Sequence, residues 1–177
     1  MGERLTRGEV FSQAGWGHQV RYRLASGFAN LGDTVLDAAC GVGYGAAFYP
    51  ESVRYIGVDK EHISQESFVD EFIMADLHLF EVDFDFELGI SFETIEHLDD
   101  YSNLILQLKK ASSWVICSVP VVPTVHINPW HKHDFQPLEF PAIFEDENWN
   151  LYQYLGQPQE LSEIYIFKNR SNDEQPQ

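Results

Sequence analysis

Hydrophobic positions in this chain come in short blocks, each closed by an acid, a proline or a glycine turn. Thr34-Val35-Leu36, Tyr55 to Val58, Phe72 to Ala75, Phe86 to Phe92 and Trp114 to Val119 are apolar runs of strand length and read as buried strands. Between the runs the period changes. From His18 to Ala29, Val20, Leu24 and Phe28 fall at i, i+4 and i+8, which predicts a helix with that stripe turned inward. Tyr101, Leu104, Ile105 and Leu108 share one face of a second helix over 101–108. Ala46-Ala47-Phe48 opens a short helix that Pro50 limits, and Gly32-Asp33 and Gly41 to Gly45 are turns. Pro120 stops the fifth strand, and the stretch to Gln136 is irregular and rich in proline and histidine. Leu138 to Phe144 predicts a short helix, and Trp149 to Leu155 with Ile164 to Lys168 a closing hairpin.

Apolar strands that alternate with helices imply an α/β fold, its mostly parallel sheet covered on both faces. The final hairpin adds an antiparallel edge and brings the sheet to seven strands. In a doubly wound sheet of this kind ligands bind at the carboxyl ends of the strands, where the strand order reverses. Asp37, Asp59, Asp76 and Glu93 all fall at or near such ends.

Composition narrows the picture. A chain of 177 residues, 44% of them hydrophobic, suits one compact domain, expected over 1–170 with a fraying polar tail at 171–177. Eleven Lys and Arg against 28 Asp and Glu give a formal charge of −17, which argues against a nucleic-acid partner. The one basic region is N-terminal, where Arg4, Arg7, Arg21 and Arg23 outnumber Glu3 and Glu9. No apolar run approaches the roughly 20 residues of a membrane span. The first residues lack the apolar segment of a secretory leader, and two cysteines, Cys40 and Cys117, make no disulfide scaffold; the expectation is a cytoplasmic protein. The oligomeric state is left open.

The strongest motif follows the first strand. Asp37-Ala38-Ala39-Cys40-Gly41-Val42-Gly43-Tyr44-Gly45 fits D-x-x-x-G-x-G-x-G between a strand and a helix, where glycine lets the backbone approach a ligand. Asp59 closes the next strand, where an acid can hold ribose hydroxyls. Together these segments resemble the class I S-adenosylmethionine-dependent methyltransferases, especially those that methylate oxygen or nitrogen of small molecules. The resemblance runs from about His18 to Lys168 and includes Ser91-Phe92-Glu93-Thr94-Ile95-Glu96-His97-Leu98 after the fourth strand and the loop Asn128 to Phe135. It implies a Rossmann-like three-layer α/β/α fold. It also implies an S-adenosylmethionine site, S-adenosylhomocysteine as product, and a small-molecule acceptor. The cofactor residues it implies are Arg21, Asp37, Gly41, Gly43, Tyr44, Asp59, Lys60, Asp76, Leu77, Phe92 and Glu93, with Arg21 or His18 meeting the methionyl carboxylate. Two departures stand out. Ala39 replaces the family glycine, and Lys109 to Ser113 replaces the usual Pro-Gly-Gly turn. The segment from Asp76 to Phe86 is also short for the usual helix.

Methyl transfer is an in-line displacement at a sulfonium carbon, so alignment does much of the work. A hydroxyl acceptor also gains from a base near neutral pKa, and His97, His131 and His133 are the candidates. His131 and His133, two apart, share a face if their segment is extended. The same region has a metal reading, which is not the favoured one: Glu93, Glu96 and His97, with His131 or His133, combine carboxylates and imidazoles, and the set Glu93, Glu96, His97 and His133 is the form retained. That set resembles the E-x-x-E-H motif of metal-dependent RNA 3′-terminal 2′-O-methyltransferases. A third reading is a module that keeps the fold and binds without catalysis.

Overall fold

The computed structural model describes residues 15–61 and 69–171. The basic positions Arg4 and Arg7 and the tail beyond Ser171 lie outside these residues. The chain runs through helix α1 (Trp16–Ser26), strand β1 (Thr34–Ala38), a 3-10 turn (Tyr44–Phe48), β2 (Arg54–Asp59) and β3 (Glu71–Met74). It continues with β4 (Leu88–Phe92), a second 3-10 turn (Ile95–His97), α2 (Ser102–Leu108) and β5 (Trp114–Pro120). It closes with α3 (Phe140–Phe144), β6 (Trp149–Gln157) and β7 (Ser162–Asn169). The seven strands form one sheet in the order β3-β2-β1-β4-β5-β7-β6. The first five are parallel, β7 runs antiparallel to β5, and β6 runs antiparallel to β7 with a bulge between Leu151 and Gln153.

The alternation along each strand builds two cores. On one face Val35, Tyr55, Leu88, Ile90, Ile116, Ile164 and Ile166 pack with Tyr22 and Ala25 of α1. On the other, Leu36, Ile56, Val58, Val115, Cys117 and Phe167 pack with Leu104, Ile105 and Leu108 of α2 and Phe140 and Phe144 of α3. Successive side chains point to opposite faces, so Val35 and Leu36, or Tyr165 and Ile166, belong to different cores. The result is the three-layer α/β/α arrangement, with the reversal of strand order between β1 and β4.

Helix α1 buries a different face from the one the apolar stripe predicts. Gly17, Gln19, Arg21, Tyr22 and Ala25 are buried, whereas Val20, Leu24 and Phe28 are half-exposed. Polar demand turns the helix: the Tyr22 hydroxyl and the Arg21 guanidinium both have partners beneath it, described below. The passage from β3 to β4 contains turns and no helix. Side chains of α2 and the residues just after it satisfy its backbone instead. Asn103 Nδ2 donates to the carbonyls of Leu77 (2.8 Å) and Phe80 (2.9 Å), and Gln107 Oε1 accepts from the Val82 amide at 2.9 Å. Lys110 Nζ donates to the Val82 carbonyl at 3.0 Å, so an unsupported loop still meets the rule that buried backbone polar groups are paired. No helix among the described residues is long and apolar enough to cross a membrane.

Candidate active site at the carboxyl ends of β1, β2 and β4

Asp37 is inside β1 and 1% exposed. Its Oδ2 accepts hydrogen bonds from Tyr55 of β2 (2.6 Å) and Tyr22 of α1 (3.1 Å). Its Oδ1 has no hydrogen-bond partner among the described residues. Burial pushes the carboxyl up to about 7, against the pull of the two phenols, and the nearby Asp59 charge adds to the rise. Tyr22 stands edge-on to Tyr44 and Phe92. The Tyr44 hydroxyl meets Nδ1 of His18 at 3.1 Å. Burial and the Arg21 charge lower His18 to about 4, so that ring is neutral at physiological pH.

The turn after β1 is tied to β2. The amides of Ala39 and Cys40 both donate to the Val58 carbonyl, at 2.8 and 3.0 Å. The Gly41 amide donates to Oδ2 of Asp59 at 2.9 Å, and the Glu61 amide to Oδ1 at 3.2 Å. The turn needs left-handed backbone at Gly41 (φ 59) and Gly43 (φ 76), and also at Ala39 (φ 72), where the family pattern has glycine. Gly45 is required for a different reason: a Cβ there would come within 2.3 Å of both Tyr22 and Tyr55.

Glu93 follows β4 with φ 50. Its amide donates to the Ser118 carbonyl at 3.1 Å. Its carboxylate accepts from Ser118 Oγ (2.7 Å) and Ser162 Oγ (2.9 Å), and Nη2 of Arg21 lies 3.4 Å from Oε1. Arg21 is 1% exposed; its Nε donates to Oε1 of Gln157 at 2.7 Å, while Nη1 and Nη2 make no hydrogen bond among the described residues. Asp76 lies past β3, exposed, and accepts from the His78 amide and Nδ1, which lower its pKa. Leu77 and Phe92 are buried and Lys60 is exposed.

The histidines separate into two groups. The loop after β5 turns at Thr124 to Asn128 and again before His131, and the two histidines beyond these turns meet different partners. His131 meets His97 edge to face, ring centroids 4.6 Å apart. His97 Nδ1 lies 3.1 Å from the Trp130 carbonyl and its Nε2 3.8 Å from Oε1 of buried Glu96. His133 Nε2 bonds the Leu98 carbonyl at 2.8 Å and its ring packs on Tyr101. The set Glu93, Glu96, His97 and His133 therefore does not assemble. Glu93 is held by Arg21 and two serines, His133 is held at Leu98, and Glu96 and His97 are grouped with His131.

Several residues of this site escape the sequence reading. Tyr55 reads as the first apolar residue of a strand, and Gln157 as hairpin end. Ser118, in Val115-Ile116-Cys117-Ser118-Val119, did carry a signal: a polar residue inside an apolar strand needs a buried partner.

No protein-family model matches this chain, and no curated protein matches it. Solved structures do. Magnesium protoporphyrin IX methyltransferase from Synechocystis, with bound S-adenosylhomocysteine, superposes with a TM-score of 0.68 at 16% identity, over 96% of this chain and 90% of that one. The N-methyltransferase NodS from Bradyrhizobium japonicum gives 0.67 at 12% identity, over 90% and 98%. The 1,6-didemethyltoxoflavin-N1-methyltransferase from Burkholderia thailandensis gives 0.66 at 15%, over 88% and 80%. The fold is that of the class I S-adenosylmethionine-dependent methyltransferases.

Two outcomes follow from this geometry. A non-glycine residue in left-handed backbone costs roughly 1–2 kcal/mol, partly offset by the conformational entropy glycine loses. Ala39→Gly should therefore raise stability by about 1 kcal/mol in urea unfolding; a loss would mean that the Ala39 methyl earns more by packing than its backbone costs. Asp37 concerns pH. The folded carboxyl keeps its proton to about pH 7, whereas the unfolded one releases it near 3.8. The native state binds more protons between these values, so Asp37's contribution is complete below them and is lost as pH rises to about 7. In melting curves the wild type should lose stability relative to Asp37→Asn as pH rises from about 4 to 7, below and above which the difference should be constant. Curves parallel throughout would contradict the buried, protonated carboxyl.

Proposed function

We propose that the chain is an S-adenosylmethionine-dependent methyltransferase that transfers a methyl group to a hydroxyl or amine of a small molecule. The observation that carries the reading is the buried Arg21 guanidinium. Among the described residues its two terminal nitrogens make no hydrogen bond, and one anion, Glu93 at 3.4 Å from Nη2, offsets the buried charge only in part, a costly state that a second anion would relieve. It stands beside Glu93 at the reversal of strand order, where a doubly wound sheet binds its ligand. That fits the carboxylate end of an amino-acid cofactor. The remaining residues suit the rest of such a ligand. Gly41 and Gly43 keep the turn open to it, Asp59 is the acid for ribose hydroxyls, and Asp76 with Leu77 borders the adenine end. Glu93 is the acid for the ammonium and sulfonium charge, Asp37 fixes Tyr22 and Tyr55 beneath the turn, and Lys60, Tyr44 and Phe92 are border residues.

When bound, the donor supplies an electrophilic methyl carbon already activated by its sulfonium, so the chain's task is alignment and proton removal. Arg21, Asp59 and the glycine turn orient the donor. The corner formed by His97 and His131 is where an acceptor hydroxyl would lose its proton. His133, tied to the Leu98 carbonyl, positions the loop that carries His131. Small-molecule acceptors suit a chain with a charge of −17 better than RNA does.

The test is transfer of a labelled methyl group from S-adenosylmethionine to pooled hydroxyl- and amine-bearing metabolites, with Asp59→Ala as the comparison. Loss of a charged hydrogen-bonding partner costs on the order of 1.5–3 kcal/mol, so the variant should bind S-adenosylhomocysteine at least tenfold more weakly. A folded Asp59→Ala protein with unchanged affinity would mean that the ligand sits elsewhere.

A further inference from the structure

We propose that Glu96, His97 and His131 form a binding site for a single divalent transition-metal ion of the zinc class. One donor atom from each residue comes within 4.8 Å of the others. Donors about 2.1 Å from a tetrahedral ion stand about 3.4 Å apart. The separation of Glu96 Oε1 and His97 Nε2, 3.8 Å, is already close to that, and rotation of side chains closes the rest.

The surroundings are those of ligating imidazoles, which are held by an outer oxygen on the nitrogen that does not bind the metal. The Trp130 carbonyl can only accept, so Nδ1 of His97 carries the proton and Nε2, the nitrogen facing Glu96, has its lone pair. His131 is held in the same manner through a relay. Its Nδ1 meets Thr124 Oγ1 at 2.6 Å, and that oxygen lies 3.4 Å from Oδ1 of Asp134. Asp134 also accepts the amides of Thr124 (2.6 Å) and Val125 (3.0 Å), which fixes the turn beneath the ring. With Thr124 donating to the carboxylate, its oxygen accepts from His131 Nδ1–H, and the tautomer again leaves the second nitrogen basic.

The backbone is built to the same plan. The Lys132 and His133 amides both donate to the Glu96 carbonyl, at 2.6 and 3.3 Å, so the loop after β5 is strapped over the turn that carries Glu96 and His97. The donor set of two imidazoles and one carboxylate selects a borderline ion over magnesium or calcium, which favour all-oxygen shells. Three protein donors leave a fourth position for water. A buried Glu96 carboxylate, 1% exposed, is compensated by the ion's charge. The inference rests on the proposed function and deepens it: with both imidazoles ligating, the ion would take over from them the lowering of the acceptor hydroxyl's pKa, and metal binding is read separately from donor binding.

The experiment uses the untagged full chain, stripped with a chelator and titrated with Co²⁺ followed by visible absorption, then with Zn²⁺ in competition. One Co²⁺ per chain should bind with the intense d–d bands of low coordination number, and Zn²⁺ should displace it. His97→Ala and His131→Ala should each weaken binding at least tenfold, whereas His126→Ala, an exposed histidine of the same loop, should not. His131 lies on the loop, so its variant decides the matter if His97→Ala fails to fold. The absence of a stoichiometric complex overturns the proposal. So does unchanged binding in folded His131→Ala. Binding of S-adenosylhomocysteine, measured on the same stripped protein, tests the donor site independently.

Discussion

One buried carboxyl group holds the working end of this molecule together. Asp37 accepts the hydroxyls of Tyr22 and Tyr55, and so joins α1, β1 and β2 at a point closed to water. Without those hydroxyls the carboxyl would be an unpaired buried polar group, which is expensive. Tyr22 sets the rotation of α1, and that rotation carries Arg21 inward to Glu93 and Gln157. The tyrosine rings leave no room for a side chain at position 45, so the turn after β1 must be glycine-rich for packing as well as for ligand approach.

The site is built as a chain of mutual constraints. Asp59 holds the Gly41 amide, Val58 holds Ala39 and Cys40, and Ser118 and Ser162 hold Glu93 in left-handed backbone. Left-handed non-glycine residues at Ala39 and Glu93 persist only where surroundings over-determine them, and such residues gather at functional sites. Both fall at the ends of the two strands that flank the reversal of strand order.

Much of this was legible in the sequence. Strand blocks, their order and the closing hairpin follow from apolar runs and turn residues, because those signals are local. The acids Asp37, Asp59, Asp76 and Glu93 were placed at strand ends for the same reason. What could not be read were the long-range pairs. Tyr55 looked like core, and Arg21 was singled out by the resemblance but not with its partners Gln157 and Glu93. Periodicity counts apolar area and ignores that a single buried phenol or guanidinium can outweigh a stripe of Val20, Leu24 and Phe28. The histidine partners were also out of reach: His131 meets His97 and His133 meets the Leu98 carbonyl, a partition that a spacing of two cannot reveal.

We propose above all that the carboxyl ends of β1, β2 and β4 hold an adenosyl amino-acid donor with Arg21 at its carboxylate end. Calorimetric titration of the full chain with S-adenosylhomocysteine tests it most directly. The account predicts one saturable site per chain, weakened at least tenfold by Arg21→Gln. A flat titration at millimolar ligand, or a site indifferent to Arg21, would contradict it.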